Sequence, residues 1–467
     1  MIPNNFFLGG GPSETIMSAV GAAMMATAIV LMFVLPRKYV IVPVLLAVFL
    51  VPEGEGVVIG GFHLMPVRIL ALFGMLQLAW LHHRSRAPIF AGGMNLIDKA
   101  FVGCAIAHST AFVLLWMQPG AVTNQMGFLL GTLGMYILLR SLIQQDQDIF
   151  RVLRVLAIVA ALNAVGMIYE RAEVRNLFGL LIGGVDPVPL IREGKIRSQG
   201  AFGHAILAGT FGAMWLPMFI TLWTHGRAKI FAAVGVISSM VMVFTSASST
   251  PLMAIFGVGA SILFWPLRKN MRIVRWAVAS LLVMLHLIMK APVWFLIARA
   301  DMVGGSASFD RANLIDVFVR HFWDWCLLGT KDIGSWGWSM WDLSDTYVSQ
   351  GESGGLVTLV FFIAILKGSF SRIGKARKSG GRGREWFLWL IGSALFANVM
   401  AFFGVSYWDQ TEVAWFALLA IISIATAPTL ARAGVAKELN GAAEPELDLA
   451  SSAIREQLTS GLSSLTL

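Results

Sequence analysis

Residues 204–223 read HAILAGTFGAMWLPMFITLW. From Ala205 onward the run holds no Asp, Glu, Lys or Arg, and its length matches the about 20 mostly apolar residues that a helix needs to cross a bilayer. Backbone N–H and C=O groups find no water in lipid, so a chain crosses it only as helices or a closed barrel, and a continuous run of this kind reads as helix. Working outward, thirteen apolar segments appear, at 17–35, 39–51, 65–80, 100–117, 124–139, 152–169, 204–223, 229–246, 250–266, 274–289, 353–368, 385–404 and 412–430. The second is short and the eighth and ninth nearly fuse, so the expectation is an all-α polytopic membrane protein with twelve to fourteen transmembrane helices.

Composition points the same way. Of 467 residues, 57% are hydrophobic and only 13% charged, about half the charge of a soluble globular domain, and mean hydropathy is +0.74. A water-soluble enzyme with a charged skin is excluded. The net charge of +9 reads as Lys and Arg held on one side of a membrane rather than as a nucleic-acid surface. No basic residue precedes the first apolar run, so a span is expected there and not a cleaved leader. Cys104 falls in an apolar run and Cys326 in a polar loop, which predicts different depths and no disulfide framework.

If the spans alternate, 24 of the 35 Lys and Arg fall on one side. The densest cluster is Lys367, Arg372, Lys375, Arg377, Lys378, Arg382 and Arg384. That side is expected to be the cytoplasm. Three regions follow: 1–203, with an outer loop at 170–203; 204–430, with a larger outer loop at 290–352; and a cytoplasmic tail at 431–467.

The outer loops break the charge bias. The first holds Arg171, Arg175, Arg192, Lys195 and Arg197; the second holds Lys290, Arg299, Arg311, Arg320 and Lys331 with eight acids; Arg68 stands alone at the outer start of the third span. Arginine binds phosphate through charge-assisted, bidentate hydrogen bonds and stays charged, so an anion site is one reading. The plainer one is that Arg171 and Arg175 pair with Glu170 and Glu173 at a helix end, or touch lipid headgroups. The second loop also carries six of the sixteen tryptophans, Trp294, Trp323, Trp325, Trp336, Trp338 and Trp341. They read equally as an interfacial belt or as platforms for sugar rings. Within it Phe309–Phe322 patterns as an amphipathic helix, with Leu314, Phe318 and Phe322 on one face and Arg311 near its start. The run Thr245–Thr250 of Ser, Thr and Ala reads as close helix packing. His108 and His286, inside spans, read as packed and hydrogen-bonded. The sequence shows no nucleotide-binding loop, dinucleotide fingerprint or metal-spaced cluster.

The order of parts resembles the bacterial O-antigen ligase and polymerase family. Arg197-Ser-Gln-Gly-Ala-Phe-Gly-His204 is similar to that family's Arg-x-x-Gly-x-Phe-x-His/Asn segment, and Thr245–Pro251 to its Ser/Thr-rich stretch. Asp310-Arg311-Ala-Asn-Leu resembles its Arg-x-x-Leu, Leu328-Gly329 its Leu-x-Gly, and Asp345-Thr-Tyr347-Val before Gly354-Gly355-Leu its His-Asn-x-Tyr-Leu and Gly-rich helix start. The likeness covers about 197–366.

The resemblance implies a glycosyltransferase of GT-C-like architecture in the bacterial inner membrane. It would act on undecaprenyl-pyrophosphate-linked oligosaccharide at the outer face, without a cofactor or a nucleotide sugar. Arg197 and Arg311 would stabilise the leaving pyrophosphate. Asp345 stands where many ligases have a histidine base, which favours a polymerase of exopolysaccharide, capsule or O-antigen over a ligase acting on lipid A core. Asp342 or Glu352 are alternative bases, and His204 is either a base or structural. Arg192, Lys195, His204, Arg320, Tyr347, Trp338 and Trp341 complete the expected substrate-binding set. A repeat-unit flippase and a chain-length regulator are the partners implied. The rival from another class is a polysaccharide or lipid transporter, which calls for buried charges and broken helices at mid-membrane.

Overall fold

The computed structural model describes residues 15–59, 62–85, 89–299, 307–408 and 410–427. The expected tail at 431–467 lies outside them. Each of the thirteen apolar segments falls on a helix. Seven helices are long and apolar enough to cross a membrane: Leu96–Trp116, Pro119–Leu142, Asp146–Glu173, Ala205–Thr224, Trp265–Ile288, Thr346–Lys378 and Gln410–Ala427. Ala19–Val34, Arg37–Leu50, Pro66–Ser85, Lys229–Thr245, Ser249–Leu263 and Arg382–Ala401 are shorter or less apolar. Among the described residues the named strands form two antiparallel hairpins, Val57–Ile59 with Phe62–Leu64 and Leu190–Arg192 with Lys195–Arg197. The chain is an all-α, multi-pass membrane protein.

Lipid is as apolar as Leu, so helices associate there through close packing and hydrogen bonds rather than the hydrophobic effect. Ala205–Thr224 is the hub. Lys229–Thr245, Ser249–Leu263 and Arg382–Ala401 pack around it, and Phe211, Trp215 and Phe219 are fully enclosed. Gly209 shows why small residues recur here: a Cβ on it would sit 2.5 Å from Ser246 Oγ and 2.7 Å from Pro251. The Ser/Thr-rich run therefore does pack closely, as its composition suggests. Met271–Ile288 is the opposite case. None of its residues is buried, and it is fastened at its ends. Below, Trp265 packs edge-on against Trp386 and Trp389; above, His286 Nδ1 accepts from the Val293 N–H (3.2 Å) and its ring lies against Trp294.

Contacts sort the connections into two ends. At one, Arg384 pairs with Asp146 (2.7 Å), Arg268 with Glu385 (3.2 Å), Arg154 donates to the Gly226 carbonyl and Arg37 to the Ser141 carbonyl. At the other, Ser198 N–H donates to Thr245, Gln410 to Ala201, Thr250 to Gly404 and Thr346 N–H to Phe402. The first end collects the basic loops and the second the described parts of the two Arg-bearing loops at 170–203 and 290–352.

Candidate functional site

The segment after Arg197 is held by side chains from distant helices. The Gln199 and Gly200 N–H groups donate to Glu170 (3.0 and 2.9 Å), and the Ala201 N–H to Asn163 Oδ1 (3.0 Å). The Gly200 carbonyl accepts from Asn176 (2.8 Å) and the Ala201 carbonyl from Gln410 (2.9 Å). Buried backbone groups need such partners, and here every residue of the turn from Ser198 to Ala201 has one. Gly200 has φ of 62°, and a Cβ there would stand 2.8 Å from Asn163 Oδ1, so this position requires glycine. Phe202 anchors the turn against Phe49 and Phe211. His204 caps the next helix, its Nδ1 accepting from the Ile206 N–H (3.2 Å).

Glu170 thus serves the turn and does not pair with Arg171 or Arg175, contrary to the helix-end reading. Both arginines are exposed. Burial, reinforced by Arg197, pushes the His204 imidazole down to about 4. A neutral ring that accepts at Nδ1 carries its proton on Nε2, so the geometry favours capping over base catalysis.

What the clamp presents is Arg197, itself buried. Its Nη2 donates to Ser248 Oγ (2.8 Å), and Nε is buried with no hydrogen-bond partner. Burial lowers its pKa, as do the charges of Arg192 and Arg311. Arg192 and Arg311 thus lie within electrostatic reach of Arg197. Ser248 lies in the run read as close packing and, by resemblance, as the Ser/Thr-rich stretch; its bond to Arg197 is a partnership that the sequence did not reveal.

The second half of the site is built on a broken helix. Asp345 caps Thr346–Lys378 by accepting from the Val348 N–H (3.0 Å). Ten residues on, Gly355 adopts φ 70° and ψ −174°, which interrupts the helix. The break receives the Leu327–Gly329 segment of the large loop. Leu356 N–H donates to the Cys326 carbonyl (2.9 Å) and Thr330 N–H to the Glu352 carbonyl (2.8 Å); a Cβ on Gly355 would lie 2.5 Å from the Leu327 carbonyl. Leu328-Gly329 and Gly354-Gly355 are thus two sides of one joint.

The amphipathic helix is present at Ala307–Arg320, and Leu314, Phe318, Trp325 and Val348 form its small core. Phe318 stacks on Trp325 at 4.0 Å. This seat brings Arg311, 8% exposed, within electrostatic reach of Asp345 and Arg197. Asp345 is fully buried, and its Oδ2 has no hydrogen-bond partner. Burial pushes its carboxyl up to about 7, against the pull of the Val348 and Tyr347 N–H groups and Arg311. A carboxylate near 7 with one unused oxygen is suited to take a proton at neutral pH.

The remaining expected residues are spread out. Arg192 and Lys195 face each other across the exposed hairpin turn at Glu193-Gly194. Arg320 points outward and pairs with Asp316 one turn away (2.7 Å). Tyr347 donates its hydroxyl to the Val399 carbonyl (3.3 Å) amid Phe362, Phe402 and Phe403, a packing position. Trp338 and Trp341 are 90% and 77% exposed, while Trp325 is core. Asp342 is exposed.

Two described cavities lie away from this centre. One of about 390 Å³ is lined by Ala91, Gln144 and Asp146 at the basic end, and one of about 430 Å³ by Lys99, Gly103 and Phe361 between two helices. No protein-family model matches the chain, and no curated protein matches its sequence.

Proposed function

We propose that the chain is a multi-pass glycosyltransferase of the bacterial inner membrane, GT-C-like in architecture, with twelve to fourteen spans and the basic end in the cytoplasm. It polymerises undecaprenyl-pyrophosphate-linked repeat units into a surface polysaccharide at the outer face. The observation that carries this reading is the meeting of Arg197 and Arg311, from separate outer loops, beside a buried Asp345 whose Oδ2 is unpaired.

In the reaction, Asp345 removes the proton of an acceptor hydroxyl. That oxygen bonds to the anomeric carbon of the donor, and the bond from this carbon to the pyrophosphate oxygen breaks. The electron pair leaves with the pyrophosphate, where the two guanidinium groups stabilise the developing charge. The exposed Trp338 and Trp341 suit sugar rings, and Arg192 and Lys195 extend the basic surface towards the phosphates.

The test is to supply the detergent-purified chain with its host's lipid-linked repeat units alone and separate the glycans on a gel. A ladder of multiples is expected. No ladder from a folded protein would remove self-polymerisation. The second reading is a ligase, which would form product only when lipid A core or another acceptor is added. A flippase and a chain-length regulator fit beside a polymerase as partners.

A further inference from the structure

Arg68, which the sequence sets apart from the two Arg-bearing loops, has no part in the centre described for Arg197, Arg311 and Asp345. It occupies the first turn of Pro66–Ser85, with its side chain over Gly127 and Gly131: Cβ atoms added to these glycines would lie 3.0 and 3.6 Å from it. Its Nη1 donates to the His63 carbonyl (2.8 Å), and its charge faces Glu53 and Glu412. Glu412 stands in the first turns of Gln410–Ala427. Its one hydrogen-bond partner among the described residues is Thr132 Oγ1, at a long 3.5 Å. Thr132 itself lies in a single π-helical turn, Leu130–Gly134, inside an otherwise α-helical span; such turns frequently mark functional sites.

The fully buried Arg140 and Asp98 close to 3.2 Å. Among the described residues no ion pair within 4 Å joins Arg68 to Glu412. A carboxyl group offers several hydrogen-bonding sites, and only Thr132 occupies one on Glu412 among the described residues, so most stay open. Arg68, Glu53 and Glu412 are each half-buried, which leaves them reachable. Trp408, 48% exposed, precedes this helix. The cluster adjoins the Arg197 turn, because Gln410, two residues before Glu412, donates to both Ala201 and Val51.

We propose that Arg68, Thr132 and Glu412, with Glu53 beside them, form a second subsite that binds sugar hydroxyls of the acceptor chain. Hydroxyls donate to the Glu412 carboxylate and accept from the Arg68 guanidinium. This rests on the glycosyltransferase reading, since a polymerase must hold two glycans at once. The pyrophosphate of one meets Arg197 and Arg311, and the free end of the other meets this cluster.

The test uses the full chain in detergent and a probe without phosphate: the host's repeat-unit oligosaccharide, released from its lipid by mild acid. Binding is measured by titration calorimetry. Glu412→Gln and Thr132→Val weaken binding about tenfold or more, the expected loss of a hydrogen bond to a charged group. Thr132→Ser retains binding, and so does Arg197→Ala. Unchanged affinity in a folded Thr132→Val and Glu412→Gln overturns the subsite even where the ladder still forms, as does a wild-type chain that binds no oligosaccharide. Glu412-dependent binding by a protein that makes no ladder upholds the subsite and removes the polymerase reading instead.

Discussion

The two ends of the bundle treat charge in opposite ways. At the basic end charges close on each other: Arg140 on Asp98, Arg151 on Asp148, Arg268 and Arg377 on Glu385, and Arg384 on Asp146. Asp98 also accepts from Tyr136 (2.5 Å) and completes a capping box with Asn95. At the opposite end Arg197 and Asp345 are also buried, yet among the described residues neither closes on an opposite charge within 4 Å. Burying a charge is costly in either place. Where the cost is met by a neighbour, the group builds the fold; where it is not, a bound ligand of opposite charge would lower it.

The largest effect that would sharpen this contrast is at the basic end. Arg140→Ala strands Asp98 at 0% exposure, and removing one partner of a buried pair costs about 3–5 kcal/mol. A sharp fall in the thermal midpoint of the detergent-purified protein is expected, and a midpoint like wild type would break the comparison. Next come Arg197→Ala and Arg311→Ala, which should lower transfer by about 10²–10³-fold, the scale for losing a donor to a developing oxyanion, with membrane levels unchanged. Normal polymer from both would remove the site.

Asp345→Asn keeps a good helix cap, so it separates chemistry from capping. It should be nearly inactive if the carboxylate is the base and mildly impaired if it only caps. Wild-type transfer should rise with pH through about 7, because only the ionised form accepts the proton. The stability sign is opposite. Burial raises the folded pKa above the unfolded value, so the contribution of the neutral form is complete at low pH and is lost as pH passes upward through about 7. Asp345→Asn should flatten that decline, which thermal melts between pH 6 and 8 would detect. The smallest effect belongs to Arg320→Ala. Its pair with Asp316 is an i,i+4 surface contact worth at most about 0.5 kcal/mol, and transfer should change less than about twofold. A large loss would move Arg320 from surface to substrate.

Much of the fold was legible because lipid imposes one rule on every span: long apolar runs become helices. Boundaries were less so. Segment 353–368 lies within a helix that runs Thr346–Lys378, because the polar residues at its ends continue the helix beyond the hydropathy signal. The Gly-rich stretch read as a helix start is a break ten residues inside one. Within the site, Arg197, Arg311 and Asp345 were readable from order and sidedness. Glu170, Asn163 and Ser248 were not. Glu170 and Asn163 are seven residues apart, hence on one helix face, two polar groups in an apolar run. That spacing is the signal that could have identified them, but their partner turn lies some thirty residues further on and is brought back only by the packing.

The unburied helix Met271–Ile288 has a consequence for how this chain can vary. Every position in the hub must satisfy a neighbour, so its alphabet is narrow. Along the middle of Met271–Ile288, from Trp276 to Leu285, no residue is buried, the only judge is the bilayer, and one apolar residue serves as well as another. A saturation library should therefore show a quiet window there between two intolerant flanks, Trp265 below and Trp294 above, and that window is where a fluorophore could be attached without disturbing the protein it reports on.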